Sequence, residues 1–597
     1  MIHKPQRSRD RSRLGYTPSE EDISTIYKTL YTATQTSPDN DLVYITSSGF
    51  LQFGLNLGRN SQLFVQGYSR NVTNISDGAS VMDVNLTSTG IVEWFFLGGN
   101  QNHITNAGVI SSPANAIRFS SFGLLFDGGK NYITNTGLIG GPGSYDGTAF
   151  VILAEGPSAT VIDNSGTISS ASDDAIKLGA GDDVIYNSGT IKGDIDLGGG
   201  NNRFIGTTGS LFGTITAGAG ADRIWGGAGD DLISSGGGAG VVHGRGGDDA
   251  LNGGAIQDIL YGEEGSDILD SGDADSINTL YGGAGDGLYY IHSTLDLISE
   301  RAYGGSGIDG VVVIGAFDFS LSDRVHIKGD VEDLTLSGLT GQENINGTGN
   351  ALDNKILGTS GGSNILSGLG GDDDMDGRAG NDTLIGGAGA DFLKGGLGTD
   401  IASYETSQTS VTVALDGSLA ATGDALGDTF YSVEGLRGAN VAGAGDILRL
   451  NISGNAISGL LGDDTLDGGS SADKLNGGAG SDTLIGGAGS DWFIYAAPDE
   501  GGDTINDFIS GTDTFHIQGA AFVFGLTAAT YSSANFVSGD SNLAASDNND
   551  YFIFNTTDQT LWFDPDGYID FGTDLAPILI AHLQAGATVV FSDIVIF

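Results

Sequence analysis

The 597-residue chain has no cysteine, which excludes a disulfide scaffold, a thiolate metal site and a cysteine nucleophile. Proline is scarce, at 9 residues, so neither collagen nor a proline-rich linker fits. Basic residues are few: 24 Lys and Arg stand against 75 Asp and Glu, a formal net charge of −51. Such a chain has no basic surface for nucleic-acid phosphates, and as a compact body it repels itself. No apolar run approaches the roughly 18 residues of a membrane span, so membrane insertion of the toxin kind is not expected. The opening MIHKPQRSRDRSRLGY is basic yet lacks the apolar stretch of a secretory leader. Residues 1–29 therefore read as a solvated, disordered tail, with any export address elsewhere. None of the seven histidines falls in an H-E-x-x-H pattern, which leaves a zinc protease unsupported.

What the chain has in excess is glycine, 102 residues, and it is periodic. Residues 377–400 read GRAGNDTLIGGAGADFLKGGLGTD, with Asp382, Asp391 and Asp400 nine apart. No helix and no lone strand has a period of nine, so the spacing marks a repeat unit. The frame runs unbroken through 368–403, with Asp373, Asp382, Asp391 and Asp400 at position six and Met375, Leu384, Leu393 and Ala402 at position eight. A block at 459–494 repeats it with Asp464, Asp473, Asp482 and Asp491. An earlier block at 217–270 supplies Asp222, Asp231, Asp249, Asp258 and Asp267, interrupted at Gly240. Isolated copies hold Asp183 and Asp309, and the copy at 197–205 has Asn202 at position six.

The stretch at 377–400 fits G-G-x-G-x-D-x-U-x, U being a large apolar residue, and so resembles the calcium-binding nonapeptide of RTX proteins. Physical chemistry accounts for each position. Three-residue strands centred on the apolar residue face a thin core, and six-residue glycine turns join them. Those turns expose carbonyl oxygens beside the aspartate carboxylate. Calcium takes six to eight oxygens, more than one turn provides, so stacked turns must share an ion. Two nonapeptides complete one coil, which places Asp373 under Asp391 and Asp382 under Asp400. Magnesium prefers a smaller octahedral site and keeps its waters, and zinc lacks its nitrogen and sulfur ligands. On the order of ten bound Ca²⁺ would cancel about twenty negative charges and couple folding to the metal.

Upstream, HITNAGVI, YITNTGLI, VIDNSGTI and VIYNSGTI recur with Asn106, Asn135, Asn164 and Asn187. Short β-rich segments returning once per coil resemble the passenger-type β-helices of bacterial surface proteins, with the asparagines bonding up the stack at one corner. Downstream, GGDTINDFISGTDTFHI (501–517) and YFIFNTTDQTLWFDPDGYID (551–570) resemble the module that follows the repeats in serralysin-type secreted proteins. The matches are Asp507, Phe508 and Asp513 of its D-F-x-x-G-x-D core. By the same resemblance Asp564 and Asp566 are ligands of a further calcium. The closing DIVIF resembles the uncleaved C-terminal signal of type I secretion, which implies the type I machinery as a partner.

The expected fold is all-β: a right-handed parallel β-helix running into RTX β-rolls and a β-sandwich-like C-terminal module. The expected boundaries are 30–215 for the β-helix, 216–340 for the first RTX block with its connector, and 341–404 for the second β-roll. A strand-rich spacer at 405–455, a third β-roll at 456–495 and the C-terminal module at 496–597 complete the chain. RTX tails accompany many activities, so the tail names none. GTSGG at 358–362 satisfies G-x-S-x-G formally through Ser360, but inside a nonapeptide-like copy. A polysaccharide lyase or epimerase on the β-helix would draw on Asp163, Asp173, Asp174, Lys177 and Arg118, which are thinly spread. The expected function is a secreted protein that folds on calcium outside the cell. It would act as an adhesin-like or structural solenoid toward cell-surface polysaccharide or further copies of itself.

Overall fold

The computed structural model describes the strands between residues 35 and 98, then 101–110, 124–127, 130–140, 151–154 and 156–597, apart from 274–275, 301–306, 339–342, 444, 453–454, 523–525, 541–549 and 566–575. The basic tail, Arg118 and Asp566 lie outside these residues, as does the side chain of Asp173. Helix is confined, among the described residues, to Gly519–Phe522 and a few three-residue 3-10 turns. The protein is an all-β parallel solenoid built in two compact units, residues 1–309 with 325–330 and residues 310–324 with 331–597.

The nonapeptide explains the strands. In Ala250–Asn252, Phe392–Lys394 and Thr465–Asp467 only the middle residue is buried. Leu251, Leu393 and Leu466 are each at most 2% exposed. A three-residue strand has one inward side chain, so position eight carries the core and its neighbours face out. Parallel pairing then repeats every coil: Leu466 is level with Leu484, Leu475 with Phe493, and Met375 with Leu393. One buried large apolar side chain contributes about 2 kcal/mol, so each strand brings little apolar stabilisation of its own.

In the first unit the ladder steps by 20 or 21 residues from Leu42–Ile45 to Gln101–Asn106, and the coils then lengthen to 29. Asn106 donates through Nδ2 to Asn135, Asn135 to Asn164 and Asn164 to Asn187, the buried corner column that the sequence implies. A second column runs beside it from Asn102 to Asn131 to Thr160. Carboxamides carry donor and acceptor together, so such a stack satisfies itself. The step along the stack shortens from 29 residues to 23, then to 19, 20 and 18. The strands stay paired throughout: Val184–Asn187 on Arg203–Gly206, and Arg203–Gly206 on Arg223–Trp225.

In the second unit the spacer contributes strands to both ladders. Thr429–Tyr431 pairs with Phe392–Lys394, and Gly435–Arg437 with Ile401–Ser403. Beyond residue 495, Thr514–Ile517 continues one sheet and Ile594–Ile596 stacks on it in turn. Ile578–Leu583 pairs with Asp503–Ile505 on the other sheet, which then turns antiparallel through Thr560–Phe563 and Phe552–Asn555.

Candidate metal centre

The position-six aspartates form columns linked level by level. The backbone N–H of Asp373 donates to Asp391 Oδ1 at 2.9 Å, and that of Asp382 to Asp400 Oδ1 at 2.8 Å. Asp231, Asp249 and Asp267 stack in the same way, as do Asp464 on Asp482 and Asp473 on Asp491. Asp183 accepts from Thr160, Asp222 from Asn202, Asp258 from Gly240 and Asp309 from Gly287. Gly240 thus keeps its place in the stack while contributing no carboxylate.

One oxygen of each carboxylate is consumed by this ladder. The other, Oδ2, is buried with no hydrogen-bond donor at Asp183, Asp222, Asp249, Asp258, Asp267, Asp373, Asp382, Asp391, Asp400, Asp464, Asp473 and Asp482. Burying a polar atom without a partner costs free energy, and a charged one costs more. Asp231 differs: its Oδ2 accepts the N–H of Gly227 at 2.6 Å. Asp491 is buried and in register, and Asp564 is buried directly after Thr560–Phe563.

These oxygens converge with main-chain carbonyls. A Cβ added to Gly377 would stand 2.5 Å from Asp382 Oδ2 and 2.8 Å from the carbonyl oxygen of Gly395 in the next coil. At Gly468 the same atom would meet the Gly486 carbonyl at 2.7 Å and Asp473 Oδ2 at 2.9 Å. Position one is therefore glycine because carboxylate and carbonyl oxygens from two coils face that space. No group of three or more His, Asp or Glu side chains gathers among the described residues. An ion here would rest on single carboxylates and main-chain carbonyls, an all-oxygen set that fits calcium. Gly377→Ala is expected to cost one calcium ion per chain and raise the calcium midpoint of folding, by analogy with disturbed metal shells on the order of tenfold. Native mass spectrometry with a calcium titration measures both.

Burial also raises the carboxyl pKa values. It pushes Asp249 and Asp503 up to about 8, and Asp183, Asp258, Asp373 and Asp464 up to about 7, from an ordinary 3.8. Backbone N–H bonds oppose the rise, and neighbouring aspartates add to it. Without a cation, these groups are held toward their neutral form.

Several members of the columns lie outside the blocks read from the sequence. Asp446 receives Val411 N–H and passes its own to Asp464; it lies 18 residues before Asp464, a step that was legible. Asp503 and Asp513 cap the third block from 21 and 22 residues beyond Asp482 and Asp491, where insertions hide the period. Asp507 receives two N–H groups, from Gly486 and Gly487. Asp428 and Glu434 end the second block's columns 37 and 34 residues on. An outer ladder also forms at position five, where Asp230 accepts from Asp248 and Asp248 from Ser266. The recurrence of Asp, Asn and Ser at that position was its signal.

Of the lyase candidates, Arg118 and the side chain of Asp173 lie outside the described residues, and the other three are divided between two sheets. Asp163 lies on Thr160–Asn164 in one sheet, whereas Asp174 and Lys177 lie on Thr167–Leu178 in the other. Lys177 Nζ is 3.6 Å from Asp196. Ser360 is exposed in the turn between Lys355–Leu357 and Ile365–Gly370, with no helix behind it.

A profile of the hemolysin-type RTX calcium-binding nonapeptide repeat, four copies long, matches residues 168–189, 213–242, 243–277, 348–384, 367–402 and 458–493. No curated protein matches the chain. The matched repeats and the parallel solenoid they build together support an RTX-family calcium-binding protein.

Proposed function

We propose that this is an exported protein whose solenoid condenses on calcium outside the cell and serves there in an adhesin-like or structural role. The observation that carries the reading is the set of buried Oδ2 atoms with no donor, several of which, as at Asp373, Asp382, Asp464 and Asp473, converge with a main-chain carbonyl of the next coil. Extracellular calcium sites bind at about 10⁻⁴–10⁻³ M, so the same chain stays loose where calcium is scarce. No helix among the described residues is long and apolar enough to cross a membrane.

A surface role is supported by regular outward rows. Trp225, His243, Tyr261 and Tyr281 stack in register along one sheet, with ring centroids 5.7, 4.4 and 4.6 Å apart. Such rows offer repeated contacts to a repeating polymer, or to another copy. Calcium-loaded protein is expected to bind glycans on an array, or to self-associate, and to leave alginate, pectin and casein intact. Turnover of any of the three would sink the structural reading in favour of a catalytic β-helix.

A further inference from the structure

The column that starts at Asp183 is built differently from the others. Its levels read Asp183, Asn202, Asp222, Gly240, Asp258, Asn278 and Asp296, each joined to the next by an N–H bond except across Asp222 and Gly240. Acid and neutral levels alternate, whereas Asp373 and Asp391, or Asp464 and Asp482, follow one another directly. Asp183, Asp222 and Asp258 each leave Oδ2 buried without a donor. Asn202 and Asn278 are both fully buried as well, at 0% exposure.

The orientation of the two amides follows from the ladder. Asn202 Oδ1 accepts the N–H of Asp183 at 2.9 Å, and Asn278 Oδ1 that of Asp258 at 2.8 Å. An oxygen is required on that side, so the NH₂ group points the other way, to where an aspartate places Oδ2. From there Asn202 Nδ2 reaches the carbonyls of Gly199 and Gly200 in its own turn and of Ala217 in the next coil, at 3.3, 3.4 and 3.5 Å. Asn278 Nδ2 reaches the Ser271 carbonyl at 2.9 Å and Ser276 Oγ at 2.8 Å. The oxygens that would surround a cation beside an aspartate here surround an amide nitrogen.

We infer that Asn202 and Asn278 are built-in substitutes for calcium, their amide NH₂ groups taking the place of the ion so that these two turns fold without metal. Asn and Asp are close in shape, so one atom decides whether a turn needs an ion. An oxygen there demands a cation, and an NH₂ group excludes one. The column therefore alternates metal-dependent and metal-free levels, while in the columns of Asp373 and Asp382 a neutral residue, Asn354 or Asn364, stands only at the first level. The inference rests on the calcium reading proposed above and adds which turns are exempt.

The test is to count calcium ions on the full-length chain by native mass spectrometry in saturating calcium, with circular dichroism alongside. Asn202→Asp is expected to bind one ion more than wild type, and the Asn202→Asp/Asn278→Asp double variant two more. Asp222→Asn, the converse change, is expected to lose one ion and keep its β ellipticity in calcium. An unchanged count in the Asn→Asp variants, or loss of structure in Asp222→Asn, overturns the inference. A wild-type chain that binds no calcium would instead overturn the reading beneath it, so the two failures are distinct. Should Asn202→Asp fail to fold in calcium, Asp222→Asn still decides.

Discussion

Chelation with EGTA at neutral pH is expected to abolish most of the β ellipticity, and calcium in the millimolar range to restore it cooperatively. The magnitude follows from the columns. Holding Asp373 ionised at neutral pH, against a pKa raised from 3.8 to about 7, costs the folded chain about 4 kcal/mol. A folded domain is stable by only about 5–15 kcal/mol. Asp373, Asp464, Asp249 and Asp183 are each at most 2% exposed, so water does little to reduce the penalty. A few such groups ionised without a partner are enough to unfold the coils that hold them. An ion held by such a carboxylate and the carbonyl of the next coil supplies the missing partner and neutralises the charge. Hydrogen exchange should resolve the loss by residue. The N–H groups of Asp373, Asp382 and Asp464 lose protection in EGTA, while strands beside Asn135 and Asn164 keep theirs, because that ladder is satisfied by its own amides. Equal protection of both regions with and without calcium would contradict the metal-coupled account.

The sequence made the repeating parts legible and the irregular ones not, for a physical reason. A nine-residue period fixes strand, turn and ladder together, so Asp382 over Asp400 and the buried Leu384 could be read before any coordinates. The asparagine corner was readable in the same way, because four in-frame copies leave one stacking solution. Asp428 and Asp503 were hidden, and Asp513 stood out only in the D-F-x-x-G-x-D match and not as a column member, because a column needs only one residue per coil at the right height. The chain between levels is free to lengthen: a spacer separates Asp391 from Asp428, yet the N–H bond closes at 2.9 Å. Conversely, positive φ at position two suits glycine, but Arg245, Glu263, Leu369, Arg378 and Leu460 occupy it with φ between 70° and 83°. Such residues cost about 1–2 kcal/mol each. The coil-to-coil pairing of this position overrides local preference, as when Leu369 pairs with Gly387 and Leu460 with Gly478.

The metal-free chain is expected to respond to acid in the opposite sense to an ordinary protein. Carboxylates usually have depressed pKa values in the folded state, so acid unfolds. Here burial raises them: Asp249 to about 8, Asp464 to about 7, and Asp267 and Asp482 to about 6, against 3.8 in an exposed chain. Between these limits the folded state binds more protons than the unfolded one, so stability falls as pH rises from about 4 to about 8. In EGTA, acidification from about pH 7.5 to about pH 5 should therefore restore part of the β ellipticity. In saturating calcium the ions already neutralise the columns. Protons then compete with metal, so the calcium midpoint shifts to higher concentration as pH falls while the loaded fold stays constant. Circular dichroism at matched ionic strength, with and without calcium, separates the two regimes. If the EGTA sample loses further structure on acidification, the buried carboxylates are not what keeps the metal-free chain unfolded.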